Sequence, residues 1–243
     1  MFQKEKFDVH LTGMCRALIA PDAAYLTDRY NKNLKSVCFT GGRCRVLYES
    51  NKSITCLCQF QSPAAAQSSP CRLALCEETD SEKQLVIVSQ QSDGSFREEK
   101  RISHGSQYSV SQIHQVRNVH LILYSCGSDA IWEVPLDQKG NPLPGWALKL
   151  PSGLQSVECV GIGHHDRILI SFIDQTCRSL VLDGQQLVER SQFPVSGWVD
   201  LLLWNQKTNQ LLVKTEKSVE SYRAGSSIDE LLCPPDPSKT INK

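Results

Sequence analysis

The sequence lacks an excess of charge of either sign: 26 Lys and Arg stand against 26 Asp and Glu in 243 residues, a formal net charge of zero. Proteins that read nucleic acid or coat anionic membranes carry a one-signed surplus, so the balance argues against both partners. Long apolar runs are missing too. The richest stretches are as short as Leu201-Leu202-Leu203-Trp204, whereas a bilayer-spanning helix needs about 20 such residues. Residues Met1 to His10 place Lys4, Glu5, Lys6 and Asp8 where a secretory leader needs an apolar core. The expectation is an intracellular protein, cytoplasmic or nuclear, with no membrane partner. With 40% hydrophobic and 21% charged residues, 14 Gly and 11 Pro, the composition is that of a globular chain. A chain of this length buries roughly 70 to 75% of its unfolded surface, as one large or two ordinary domains.

Catalytic signatures are also absent. There is no Gly-x-Ser-x-Gly elbow, no phosphate-cradling glycine loop and no complete dinucleotide fingerprint. Gly161-Ile162-Gly163 matches half of the last but precedes a strand, without the helix N-terminus that would hold a pyrophosphate. The sequence therefore predicts no catalytic residue, no cofactor and no enzyme.

Cysteine, by contrast, is plentiful, at 11 residues. In a reducing compartment free thiols behave as small buried hydrophobes. Zinc is the sharper reading, because Cys56 and Cys58 lie close to Cys71 and Cys76. The spacing does not give two knuckles of paired ligands. Cys56 and Cys58 instead share a period of two with Ile54 and Phe60, one face of a strand, so core packing is expected and no metal.

Helical periodicity is weak, confined to Met14–Ala24 and Ser226–Leu232. Short alternating or β-branched runs dominate, among them 36–39, 44–48, 53–60, 72–76, 84–89, 96–102, 109–116, 119–124, 130–134, 154–162, 167–173, 178–182, 198–204, 210–215 and 218–223. Turn chemistry separates them, as at Ser92-Asp93-Gly94, Lys139-Gly140-Asn141-Pro142 and Asp183-Gly184. The fold class is all-β. The runs also repeat: comparable first strands begin at Val110, Val157 and Val199, an interval close to the roughly 40 to 50 residues of one four-stranded propeller blade. Three regions follow: an N-terminal segment, 1–33, partly irregular; a β-repeat domain, 34–223; and a flexible proline-bearing tail, 224–243.

At Ser125-Cys126-Gly127-Ser128-Asp129-Ala130-Ile131-Trp132-Glu133 the chain resembles the closing half of a WD repeat, with Glu where that family has Asp, and Gly163-His164 resembles the Gly-His pair that opens such repeats. The resemblance implies a propeller-like array of four to five short blades. It also implies a non-catalytic scaffold or adaptor that binds other protein subunits of an intracellular complex. Four to five blades are at the lower end of what closes a ring, so a partner subunit that completes the propeller is part of the expectation.

Other readings are carried by particular residues. His164, His165 and Asp166 combine imidazole and carboxylate, the groups of a small metal-dependent enzyme. The plainer reading is an inter-strand turn in which Asp166 forms an Asx turn. Arg43 and Arg45, with Lys32 and Lys35, make a basic patch near Tyr25, Tyr30, Phe39 and Tyr48, as in an adaptor for single-stranded nucleic acid. Trp146 and Trp198, with Arg43 and Arg45, are the candidate partner-binding residues. Trp132 and Trp204 are expected in the core.

Overall fold

The computed structural model describes residues 17–19, 23–28, 32–38, 43–60, 70–104, 109–116, 119–125, 128–150, 153–162, 165–205, 208 and 210–223. Among these, every regular element is a β-strand. No helix of the described residues is long and apolar enough to cross a membrane.

The strands form five sheets, each made of consecutive strands of the chain. Sheet 1 is β1 (Ala17–Ile19), β2 (Ala23–Asp28), β3 (Asn33–Cys38) and β4 (Cys44–Glu49); sheet 2 is β5 (Ser53–Phe60), β6 (Arg72–Glu78), β7 (Lys83–Gln90) and β8 (Phe96–Ser103). Sheet 3 holds β9 (Gln112–Val116), β10 (His120–Tyr124), β11 (Ala130–Pro135) and β12 (Trp146–Lys149). Sheet 4 holds β13 (Leu154–Ile162), β14 (His165–Phe172), β15 (Thr176–Asp183) and β16 (Gln186–Pro194), and sheet 5 holds β17 (Val199–Asn205), β18 (Gln210–Thr215) and β19 (Val219–Arg223). Neighbours in sheets 1, 2, 4 and 5 pair antiparallel in meander order. The all-β expectation holds.

Two compact units are present: Met1–Leu123 with Val134–Trp146, and Tyr124–Glu133 with Ala147–Lys243. In the first, sheet 2 supplies the densest core. Its middle strands read as apolar runs, Leu73-Ala74-Leu75-Cys76 and Leu85-Val86-Ile87-Val88, and all eight residues are buried. Such a run has no polar face to give to water, so it forms a strand covered on both sides. Leu34 and Leu47 of sheet 1 join Ile54, Leu73, Leu75, Val86, Val88 and Phe96 of sheet 2 in one cluster. Each fully buried large side chain contributes about 1.5 to 3 kcal/mol. The outer strand β8 carries Arg97-Glu98-Glu99-Lys100-Arg101, charges that blunt a sheet edge. Gly94, with φ of 80°, closes the turn before it in the left-handed region that side chains avoid.

In the second unit, Leu169, Cys177 and Phe193 of sheet 4, with Val195, pack against Val199, Leu202, Leu211, Val213 and Tyr222 of sheet 5. Alternation explains which residues these are. In β18, Leu211, Val213 and Thr215 are buried while Gln210, Leu212 and Lys214 are half-buried, the period of two of a one-sided strand.

Four strands escape the sequence reading. β1 and β2 lie where helical spacing is weakly present, and Pro21 between them breaks any helix there. β1 and β2 also lie upstream of residue 34, within the segment expected to be partly irregular. β12 is only four residues long, and β16 is an outer strand with one buried side chain, Phe193, so neither shows an apolar pattern.

Candidate functional site

Of the imidazole–carboxylate trio, His164 lies outside the described residues. His165 and Asp166 are the first two residues of β14 and are register partners of Ile162 and Gly161. The Asp166 backbone is therefore part of the ladder. Among the described residues, no group of three or more His, Cys, Asp and Glu is arranged to hold a metal ion.

The cysteines of sheet 2 behave as core. Cys56 and Cys76 are direct cross-strand partners and both are buried. Their thiols hydrogen-bond, and burial pushes the Cys76 thiol well above its ordinary range. Burial likewise pushes Cys58 up to about 12. A thiol held protonated is a poor nucleophile.

The basic patch is partly used up by internal bonds. Lys32 Nζ donates to the carbonyl of Asn51 at 3.1 Å, and Lys35 Nζ pairs at 3.2 Å with Asp28, whose side chain is fully buried. Tyr25 meets Phe96 edge-on, with ring centroids 6.0 Å apart, and Tyr48 turns its hydroxyl to Glu77. Tyr30 and Phe39 lie outside the described residues. Arg43 and Arg45 are exposed, and Arg45 reaches the turn at Asp93-Gly94. Asp93 is held below the usual carboxylate range, first by the Ser95 hydroxyl, then by the Ser95 amide and, more weakly, by Arg45.

A polar network that no motif announces ties β4, β6, β7 and β8 together. Glu77 is fully buried; its carboxylate accepts from Arg101 Nη1 at 2.7 Å and from the Tyr48 hydroxyl at 2.9 Å. Arg101 also grips Glu98 with two nitrogens, at 3.0 and 2.7 Å, and donates to Gln84 Oε1 at 2.7 Å. Lys52 donates to the same Gln84 oxygen at 2.7 Å and pairs with Glu82. The Arg101 hydrogen bond holds Glu98 below the usual carboxylate range, whereas burial and then Glu77 push the Tyr48 phenol up. An open depression of about 490 Å³ lies beside this network, walled by Val46, Tyr48, Phe96, Arg97 and Glu98 among others. Both carboxylates are paired with Arg101, so the arrangement anchors two outer strands.

Of the six exposed large hydrophobic side chains among the described residues, three lie in or just before sheet 5 and the others, Val46, Leu143 and Ile173, lie singly elsewhere. Leu201 and Leu203 of β17 are 43% and 48% exposed, and Trp198, just before the strand, is 47% exposed. The alternate residues Leu202 and Trp204 face the core that sheet 4 shares. Trp198 is thus on the surface, and Trp204 is half-buried, packed against the core cluster rather than within it as expected. Trp146 and Trp132 are half-buried, and the indole N–H groups of Trp146 and Trp204 have no hydrogen-bond partner among the described residues.

No protein-family model matches this chain, and no curated protein is similar to it in sequence. Solved structures do share its fold. A functionally unknown protein from Desulfotomaculum acetoxidans superposes with a TM-score of 0.64 at 10% identity, over 87% of this chain and 65% of the other. A candidate 6-phosphogluconolactonase from Bacteroides fragilis superposes with a TM-score of 0.63 at 11% identity, over 84% of this chain and 65% of the other. The chain spans just under two thirds of the length of the solved proteins it matches. The second of these corrects one expectation. Missing motifs predicted no enzyme, yet a protein named for a hydrolytic activity is built on this fold. The motif search covers helix-bound phosphate loops and serine elbows, and an all-β scaffold can place catalytic groups from separate loops without either.

Proposed function

We propose that this chain is a propeller-like β-scaffold that binds other protein subunits within a multiprotein complex. The observation that carries the reading is the strip Trp198, Leu201 and Leu203, three large apolar side chains left on the surface of one strand region. Soluble chains scatter exposed hydrophobes singly, and clusters mark contact surfaces. Two further features support it. Five sheets, each of consecutive strands, follow one another along the chain, which is the sequence order of propeller blades. The Trp132-Glu133 pair of the WD-like segment lies in β11, the third strand of sheet 3. Zero net charge fits protein partners better than polyanions.

The test is native purification of the tagged chain followed by light scattering on a sizing column. The expected result is a complex of defined mass holding a second protein in fixed ratio. A chain that elutes alone at 27.2 kDa at every concentration contradicts the reading.

A further inference from the structure

Cys56 and Cys76 stand in a relation that no other two cysteines share among the described residues. They are direct partners in the antiparallel β5–β6 pair, so both side chains leave the same face of sheet 2. Cys38, Cys44, Cys58, Cys159 and Cys177 have Ala23, Val37, Ala74, Ile168 and Phe193 opposite them instead. Direct antiparallel partners have Cα atoms about 4.5 or 5.5 Å apart, and both values fall within the roughly 4.4 to 6.8 Å that a disulfide spans. The two thiols already meet in a hydrogen bond. Cys58, opposite Ala74, is diagonal to Cys76. Diagonal positions are about 7 to 8 Å apart, too far for a disulfide unless the backbone moves.

Once sheet 2 has closed, the pair is sealed. Cys56 and Cys76 are 1% and 2% exposed, and burial holds the Cys76 thiol protonated. A reagent in solution therefore meets almost no thiolate there. In the unfolded chain both thiols are open to solvent and react as ordinary cysteines do. Pairing of β5 with β6 then holds these two side by side, at an effective concentration that no distant cysteine reaches. The register of the hairpin, not the acidity of either thiol, selects the pair.

We propose that Cys56 and Cys76 are a disulfide-forming pair, closed by a low-molecular-weight disulfide while β5 and β6 come together and left as two core thiols where no such oxidant is present. The Cys56 thiol gives its proton to solvent, and its sulfur attacks one sulfur of the small disulfide. That S–S bond breaks, a mixed disulfide forms at Cys56 and one small thiolate leaves. The Cys76 thiolate, its proton also lost to solvent, then attacks the Cys56 Sγ, forms the cross-strand bond and displaces the second small thiolate. Two protein thiols lose two electrons and two protons, and the small disulfide takes up both as two small thiols. The bond ties β5, the terminal strand of sheet 2, to β6 across twenty sequence positions, and so removes freedom from the unfolded chain. Nothing in this depends on the scaffold reading.

The full chain, reduced and unfolded in urea and then refolded in a mixture of oxidised and reduced glutathione, tests the proposal. Remaining thiols are capped with N-ethylmaleimide and the chain is digested without reductant. The expected result is one dominant linked peptide pair whose fragment ions place the bond between Cys56 and Cys76. The linked chain should also have a higher urea midpoint than the chain refolded with reductant alone. Cys58→Ser, which alters a half-buried thiol two residues away, should keep both results. Cys56→Ala and Cys76→Ala should each abolish both, so that oxidised and reduced preparations unfold at one midpoint. Bonds spread over several cysteine pairs, a bond from Cys76 to Cys58 or Cys71, or no bond overturns the proposal, as does a linked chain with the lower midpoint. The unaltered chain and Cys58→Ser decide the matter if an alanine variant does not fold. Added to the chain already folded, the same mixture should form the bond about tenfold more slowly or less, because the sheet must first open; equal rates overturn closure during pairing.

Discussion

Glu77 and Arg101 form an ion pair at 2.7 Å in which the carboxylate is fully buried and the guanidinium is about one quarter exposed. A buried charge is tolerated only while its partner stays. Arg101→Met should therefore lower stability by about 3 to 5 kcal/mol. Tyr48→Phe, which removes one donor to the same carboxylate, should cost about 1.5 to 3 kcal/mol. Urea unfolding followed by tryptophan fluorescence measures both, and Arg101→Met proving milder than Tyr48→Phe would show that Glu77 is not held as described.

The two faces of β17 should differ in their tolerance of a smaller side chain. Leu202 is fully buried in the cluster shared with sheet 4, so Leu202→Ala should cost about 2 to 5 kcal/mol. Leu203, 48% exposed, should tolerate Ser within about 0.5 kcal/mol in the isolated chain. Equal losses at both positions would mean that the register is shifted by one residue.

Thiol accessibility should sort the cysteines. Cys44 is exposed, whereas Cys56, Cys76 and Cys177 are buried and burial holds the Cys76 and Cys177 thiols protonated. Iodoacetamide at neutral pH should label Cys44 and spare the other three until urea is added, as peptide mapping will read. Prompt labelling of Cys56 or Cys76 in the folded chain would contradict the sheet 2 core.

Two imidazoles, His104 buried and His114 half-buried, give stability a pH dependence. Burial, helped by Lys83 at His104, lowers His104 and His114 to about 4 from an ordinary value of 6.5. Below pH 6.5 the unfolded chain takes up protons that the folded chain refuses, so stability falls as pH drops from 6.5 toward 4. The loss reaches as much as about 3 kcal/mol per residue at the lower limit. The urea midpoint should fall between pH 7.5 and 5, and His114→Gln should flatten that slope. A midpoint that rises on acidification would reverse the assignment.

The chain's fold was largely legible because its strands announce themselves. Arg72–Glu78 and Lys83–Gln90 contain four-residue apolar runs, and in Ser53–Phe60 the buried residues Ile54, Cys56 and Phe60 fall on alternate positions. β16 was not legible because an outer strand needs only Phe193 to face inward, and Gln186 to Gln192 read as loop. The site was harder. Trp198 could be named from residue type, but Leu201 and Leu203 sit in an apolar run that looks like core. Only the burial of Leu202 between them, with sheet 4 on its side, shows which leucines are surplus to the fold. Arg101 and Glu77 are 24 residues apart and no spacing links them; the β6–β7–β8 meander brings them together.

The central claim, that the exposed strip Trp198, Leu201 and Leu203 is a protein-binding surface of a scaffold, is tested most directly by absolute quantification of partner per chain in native purifications. The account predicts a near-integral ratio for the unaltered chain and a ratio about tenfold lower or less for the Leu201→Ser, Leu203→Ser chain, with equal urea midpoints for the two. The same ratio in both preparations, or no protein in fixed proportion to the unaltered chain, would contradict it.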